Sequence, residues 1–306
     1  MLKFNLMKLK NYSHYVILIR LFLIICLLAS CYSMYIGVVN SPLDKKLILK
    51  NIIYTNKPNV DRKKQCLDFY IPPNTRNFPI LIFVHGGGWM SGDKREYKFL
   101  GKFLAFNGIG TVIINYRLSP KVKHPAHIED VASAFAWVYK NAKKFGGDSN
   151  KIFLMGHSAG AHLSALLALD EKYLEAYGLS TSLIKGTILI DGIYDLTLGG
   201  KKDTWFSKAF FKRIFGDKQE NRICASPIFH INGKSSPFLI IHAENDHLIP
   251  KKEPLKFYEI LKKHNNPVKL FFIPGKNHIT VLTSIGKRGD YTTELIFSFI
   301  DEYSSF

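Results

Sequence analysis

The stretch Lys151-Ile152-Phe153-Leu154-Met155-Gly156-His157-Ser158-Ala159-Gly160 decides how the rest of the chain reads. Its first half is an apolar, β-prone run of strand length. The residues beyond it, Ala161-His162-Leu163-Ser164-Ala165-Leu166-Leu167-Ala168-Leu169, are mostly small or helix-favouring. Ser158 is therefore expected on a sharp turn between a buried strand and a helix, the setting that a Gly-x-Ser-x-Gly nucleophile motif requires. Glycines suit such a turn because no side chain fits against the facing backbone, and the helix start leaves unpaired amides near the serine oxygen. Residues this common form the pattern by chance often enough that the flanking sequence must support it.

Outward from this turn, the apolar runs Ile80–Val84, Thr111–Asn115, Thr187–Ile190, Phe238–Ile241 and Val268–Ile273 repeat the strand signal. Their continuity predicts burial on both faces, as in a parallel sheet. Helical segments are expected near 95–107, 127–144, 159–177, 252–264 and 290–303. Residues 46–54 and 64–71 instead alternate apolar and polar, which predicts an antiparallel pair at the start of the sheet. Together these imply an α/β fold: a mostly parallel eight-stranded sheet with helices on both faces. In the second helix Ile128, Val131, Ala132, Phe135 and Val138 form the stripe that faces the sheet. Gly146-Gly147 ends that segment as a left-handed cap, and Asp148-Ser149-Asn150 turns the chain into the strand before Ser158.

A serine hydroxyl stays protonated near neutral pH, so it needs a base, and the base needs a carboxylate to orient it. In hydrolases with a strand–Ser–helix turn the order along the chain is Ser, then Asp or Glu, then His. Downstream, the strand Phe238–Ile241 runs into Glu244-Asn245-Asp246-His247, and the final strand ends at Pro274-Gly275-Lys276-Asn277-His278. Asp246 and His278 are therefore the expected acid and base. Asp191, Asp195 and Glu244 are rivals for the acid. His247 adjoins the acid and would point away from it, and His157 is expected to pack the turn. Upstream, Val84-His85-Gly86-Gly87-Gly88-Trp89 follows a buried strand, where adjacent glycines let backbone amides face a ligand. With the amide of Ala159 this loop would stabilise an oxyanion.

The segments His85-Gly86-Gly87-Gly88-Trp89, Asn115-Tyr116-Arg117-Leu118, Gly146-Gly147-Asp148 and Gly156-His157-Ser158-Ala159-Gly160, in this order, resemble α/β-hydrolase carboxylesterases of the hormone-sensitive-lipase-like and feruloyl-esterase-like branch. Within that branch the chain is similar also to arylformamidases and prenylcysteine methylesterases. The resemblance covers about residues 48–304. It implies Ser158, Asp246 and His278 as a triad, with Gly87, Gly88 and Ala159 as oxyanion donors. It further implies a small-molecule ester substrate and no metal or organic cofactor. Amide or formamide hydrolysis, and a non-catalytic binding module on the same scaffold, stay open as alternatives.

Between the strand ending near Ile190 and Ser226-Pro227, a cap insertion of about residues 194–224 is expected over the site. Within it Trp205, Phe206, Phe210, Phe211, Ile214 and Phe215 alternate with Lys208, Lys212 and Arg213. The aromatics would line an acyl or aromatic pocket, or only pack the cap onto the body. A basic amphipathic helix touching a membrane is the third reading.

The 306-residue chain carries 42 Lys and Arg against 24 Asp and Glu, a net charge of +18. Its basic residues are scattered and come with no nucleic-acid-binding signature, so a solvated surface that favours anionic lipid is expected in place of DNA or RNA binding. Residues 1–20 hold Lys3, Lys8, Lys10 and Arg20 and no acid, and Leu21–Ala29 is apolar, the order of a secretory signal. Leu28-Ala29-Ser30-Cys31 resembles a bacterial lipobox, implying a signal over 1–30, lipidation of Cys31, a tether over 31–45 and a catalytic domain over 46–306. The exported protein would then be membrane-tethered, with an uncleaved signal anchor as the alternative. Removal of residues 1–30 would leave 38 basic against 24 acidic residues, or +14. Cys66 and Cys224 are expected as two separate buried thiols, a bridge between them being the alternative. The sequence leaves oligomeric state open.

Overall fold

The structure, a computed structural model, describes residues 44–197, 205–233 and 235–305. Residues 1–30, Cys31 and most of the tether lie outside them. Eight strands form one sheet: β1 (Ile48–Ile53), β2 (Cys66–Tyr70), β3 (Phe78–Val84), β4 (Gly110–Ile114), β5 (Gly147–His157), β6 (Ile184–Ile190), β7 (Phe238–Ala243) and β8 (Val268–Ile273). Their spatial order is β1-β2-β4-β3-β5-β6-β7-β8. β1–β2 and β2–β4 pair antiparallel, and every later pair is parallel, as the change from alternating to continuous apolar runs predicts.

Strand alternation separates two cores. Ile80, Ile82, Val84, Ile152 and Leu154 face one side, where helices α2 (Ala126–Asn141) and α3 (Ala159–Leu169) cover them. Leu81, Phe83, Phe153 and Met155 face the other, under α1 (Lys98–Phe106) and the C-terminal helix α7 (Tyr291–Ser304). The stripe Ile128, Val131, Ala132, Phe135 and Val138 of α2 is fully buried in the first core. All eleven residues of α3 are buried, so the helix after Ser158 is packed on every side. Burying one Leu or Ile of this kind contributes about 1.5–3 kcal/mol, which anchors the start of α3 against drift.

Two element boundaries differ from expectation. β5 begins at Gly147, because Gly147 pairs with Phe78 of β3 ahead of an irregularity in the ladder, after Gly146 has capped the preceding turn at φ 86°. α3 stops at Leu169 and does not run to 177. Asp170 leaves the helix in extended conformation, its carboxylate held by Lys172, and only a short helical turn, Lys172–Glu175, follows.

Two more helices, α4 (Trp205–Phe215) and α5 (Gln219–Ala225), lie between β6 and β7, within the expected insertion, and α6 (Lys252–Lys263) follows β7. Cys66 and Cys224 are separate free thiols. Cys66 is buried as expected but Cys224 is exposed, because α5 presents it to solvent at the surface of the insertion. Among the described residues no helix is long and apolar enough to cross a membrane.

Candidate active site

β5 ends at His157, Ser158 follows in a left-handed conformation (φ 54°, ψ −120°), and Ala159 opens α3. The Ser158 amide donates to the Ile190 carbonyl at 2.9 Å, which ties the turn to the end of β6. Both motif glycines are required by close approach. A Cβ on Gly160 would lie 2.0 Å from the Val84 carbonyl oxygen, and one on Gly156 would lie 2.2 Å from that of Gly160. The turn is thus wedged against β3 with room for hydrogen alone. Ala159 stands in the first turn of α3, where amides have no carbonyl four residues back to bond.

His278 follows β8 and is nearly buried, at 7% exposure. Its Nδ1–H donates to Asp246 Oδ2 at 2.7 Å. The other carboxylate oxygen, Oδ1, accepts the amides of Leu248 and Ile249 at 2.7 and 2.9 Å. Burial pushes the Asp246 carboxyl up, but the bond to His278 and these amides outweigh it and hold the group below its ordinary range. Behind them His157 Nε2 donates to the His278 carbonyl at 2.7 Å, with the two rings 4.7 Å apart. His157 is pushed down to about 3 by burial and then by His278, so it stays neutral.

Of the rival acids, Asp195 is bound to Lys256 and Thr197, and Glu244 is exposed. Asp191 is different. It follows β6 in a left-handed conformation (φ 48°), is fully buried, and brings Oδ2 to 3.7 Å from His278 Nδ1. The sequence offers Asp191 and Asp246 as alternatives, whereas the fold sets both beside one imidazole. Strand order is the reason: β6, β7 and β8 are consecutive neighbours, so the residues after them meet at one edge. His157, Asp191 and His278, and likewise Asp191, His242 and Asp246, each present ligand-type atoms within 4.8 Å of one another. Of these atoms Asp246 Oδ2 is bonded to His278 and Asp191 Oδ1 to the Ala243 amide.

The loop after β3 lies directly over the turn. A Cβ on Gly86 would sit 3.2 Å from the Ser158 Cβ. Gly87 and Gly88 have φ of 107° and 59°, and the Gly87 carbonyl accepts the amides of Met90 and Ser91, which fixes the loop's conformation. The flanking residues brace it. Tyr116 Oη donates to the His85 carbonyl at 3.0 Å, and the two rings stack 4.4 Å apart. Arg117 grips Asp130 with Nε and a terminal nitrogen, each at 2.8 Å, and Asn115 accepts the Lys94 amide. Tyr116 therefore supports the glycine loop directly, while Asn115 and Arg117 fix its own segment to Lys94 and to α2.

The insertion closes over the same loop. Phe210 of α4 is half-buried, and its ring would lie 3.2 Å from a Cβ on Gly88. Ile214 and Phe215 are buried, and Phe215 packs edge-on against Trp89 at 5.1 Å. Trp89 Nε1 donates to His162 Nδ1, and His162 Nε2 donates to the Ala225 carbonyl at the end of α5. Ile214 and Phe215 thus pack the insertion to the body, while Phe210 faces the glycine loop. Lys212 and Arg213 are exposed, and Trp205 and Phe206 have no described side-chain positions. The link from Trp89 through His162 to Ala225 was not legible in the sequence, where His162 reads as one more residue of an apolar helix.

The family model BD-FAE matches residues 67–261. Esterase LipC of Mycobacterium tuberculosis is 34% identical over 240 residues, covering 74% of this chain and 59% of LipC. The isoprenylcysteine alpha-carbonyl methylesterase ICME of Arabidopsis thaliana is 28% identical over 281 residues, covering 85% of this chain and 64% of that protein. The chain therefore spans about three fifths of the length of these relatives. In fold it is similar to esterase B from Lactobacillus rhamnosis, with a TM-score of 0.74 at 21% identity over 92% of this chain and 95% of that one.

Proposed function

The chain belongs to the BD-FAE family, and from that premise we propose that it is a serine carboxylesterase acting through an acyl-enzyme. The observation that carries this reading is the 2.7 Å bond from His278 Nδ1 to Asp246, with His278 held by the residue that precedes Ser158. Ser158 attacks the ester carbonyl, and His278 takes its proton through Nε2 and returns one to the leaving alcohol. Asp246 fixes the imidazole tautomer and stabilises its cation. The amides of Gly87, Gly88 and Ala159 receive the developing oxyanion. Water then resolves the acyl-enzyme by the reverse sequence.

Phe210 over the glycine loop supports a substrate whose acyl or aromatic part is apolar. The test is a panel of p-nitrophenyl esters of increasing acyl length, aromatic esters, methyl esters and N-formyl amides. Ser158→Ala should lower ester turnover at least about 1000-fold and abolish labelling by a fluorophosphonate. Ester turnover that survives in the folded variant would overturn the assignment, and preference for the formyl amides would move it to amide hydrolysis.

The lipobox-like Leu28-Ala29-Ser30-Cys31 supports export and tethering to a membrane through Cys31. Cys31→Ser should abolish incorporation of labelled fatty acid, and unchanged incorporation would refute the tether.

A further inference from the structure

Two carboxyl groups converge on His278 Nδ1, one from the loop after β7 and one from just after β6. Asp246 Oδ2 lies 2.7 Å away and Asp191 Oδ2 3.7 Å away. Both side chains have no exposed surface. Their hydrogen bonding is unequal. Asp246 accepts two amides and the imidazole, which suits an ionised carboxylate. Asp191 Oδ1 accepts the Ala243 amide at 2.7 Å, yet its Oδ2 is buried without a hydrogen-bond partner. A bare, buried carboxylate oxygen beside a second carboxylate is costly twice over, by lost hydration and by like-charge repulsion. One proton placed on Asp191 removes both costs.

We propose that Asp191 and Asp246 form a carboxyl pair that holds one proton, carried by Asp191, and that Asp191 is a second positioning residue for His278. When Asp246 loses its charge, the proton on Asp191 passes to water and the new carboxylate accepts the Nδ1–H bond. The proposal rests on the reading of His278 as the base. Burial pushes the Asp191 carboxyl well above its ordinary range, and Asp246 pushes it further against the opposing pull of His278. The other titratable groups around Asp191 are His157 at the end of β5, Tyr194 beyond β6, His242 on β7, and Glu253 on α6, which faces the Tyr194 amide. Lys251, just before α6, acts on His242.

Four full-length proteins test this: wild type, Asp191→Asn, Asp246→Asn and the double variant. One readout, independent of turnover, is the Nδ1–H resonance of His278 in histidine-labelled protein. The other is kcat/KM for a p-nitrophenyl ester between pH 6 and 9. Asp246→Asn should keep the resonance and stay within about 100-fold of wild type, with activity that rises with pH as Asp191 ionises. The double variant should lose the resonance and fall about 100-fold further, to the roughly 10,000-fold deficit of an imidazole with no carboxylate. Asp246→Asn losing resonance and activity as fully as the double variant would overturn the pair. If the resonances follow the expected pattern while no protein hydrolyses ester, the proposed function fails and the pair stands.

Stability gives an answer that survives poor folding of the double variant. The raised Asp191 carboxyl keeps a proton that the unfolded chain releases, so wild type loses stability as pH rises from the ordinary carboxyl range to the raised folded value. Asp191→Asn has no such loss. Its stability relative to wild type should climb between pH 5 and 8, and a flat difference would overturn the shared proton.

Discussion

His157 Nε2 donates to the main-chain carbonyl of His278 at 2.7 Å, so the residue before Ser158 holds the loop that carries the imidazole. The bond joins the ends of β5 and β8, which are not neighbours in the sheet. Because burial keeps His157 neutral down to about pH 3, the donor is present throughout any working range. His157→Phe should therefore lower kcat by about 10- to 100-fold with KM changed little, since on the proposed mechanism it loosens the base and not the substrate site. Steady-state kinetics on the ester panel check this, and an unchanged kcat would show that the bond does not position His278.

Phe210 stands over Gly88. Phe210→Ala should enlarge the space above the glycine loop and shift preference toward longer or bulkier acyl groups. The ratio of kcat/KM for hexanoate over acetate should rise by about tenfold, the scale of one or two methylene contacts. An unchanged ratio would leave Phe210 as packing alone.

Lys94 and Asp68 form a buried ion pair at 2.5 Å, with side-chain exposures of 3% and 5%. The same lysine donates to Asn51 Oδ1 at 2.8 Å, and Asp68 accepts the Asn51 amide, so the pair joins β1, β2 and the segment beyond the glycine loop. Lys94→Met leaves the Asp68 charge buried and uncompensated, which should cost about 3–5 kcal/mol. Adding Asp68→Asn should recover part of that loss. Urea denaturation of the two variants measures both effects.

Six of the described histidines respond to acid together, since burial lowers His242 as well as the five that follow. Burial pushes His85 and His124 down to about 4, and His127, His157 and His162 down to about 3. Above the ordinary histidine value near 6.5 both folded and unfolded chains hold them neutral. As pH falls below it, the unfolded chain takes up protons that the folded chain refuses, so stability is lost between about pH 6.5 and the folded values. The urea midpoint should fall steadily from pH 7 to pH 5 and change little from pH 7 to pH 8. Replacing His162, whose ring bridges Trp89 and the end of α5, should reduce that slope as well as the baseline stability.

Much of the sheet was legible because its strands are continuous apolar runs, and Gly146 marked its turn through the left-handed conformation it adopts. The boundary at Asp170 was missed because a helix-favouring sequence continues past it, whereas Asp170 itself is extended and pairs with Lys172. Cys224 reads as a buried thiol by residue type, but its position on α5 exposes it. Asp191 was visible only as a rival to Asp246. Sequence order ranks candidates for one role and carries no term for two of them meeting.

Local chemistry by itself determined the strand, turn and helix around Ser158, since apolar periodicity and the close contact of Gly156 with Gly160 act over a few residues, whereas Gly160 answers to Val84 of β3. The same local patterns set the loop after β3 and put Asp246 and His278 beyond the ends of β7 and β8. Only the tertiary structure decided that Asp191 and Asp246 face one imidazole, that His157 holds His278, and that Phe210 stands over Gly88. Each of these joins residues distant in sequence, and their distances follow from strand order and from how the insertion docks on Trp89. Neither is encoded in the spacing of the residues that meet.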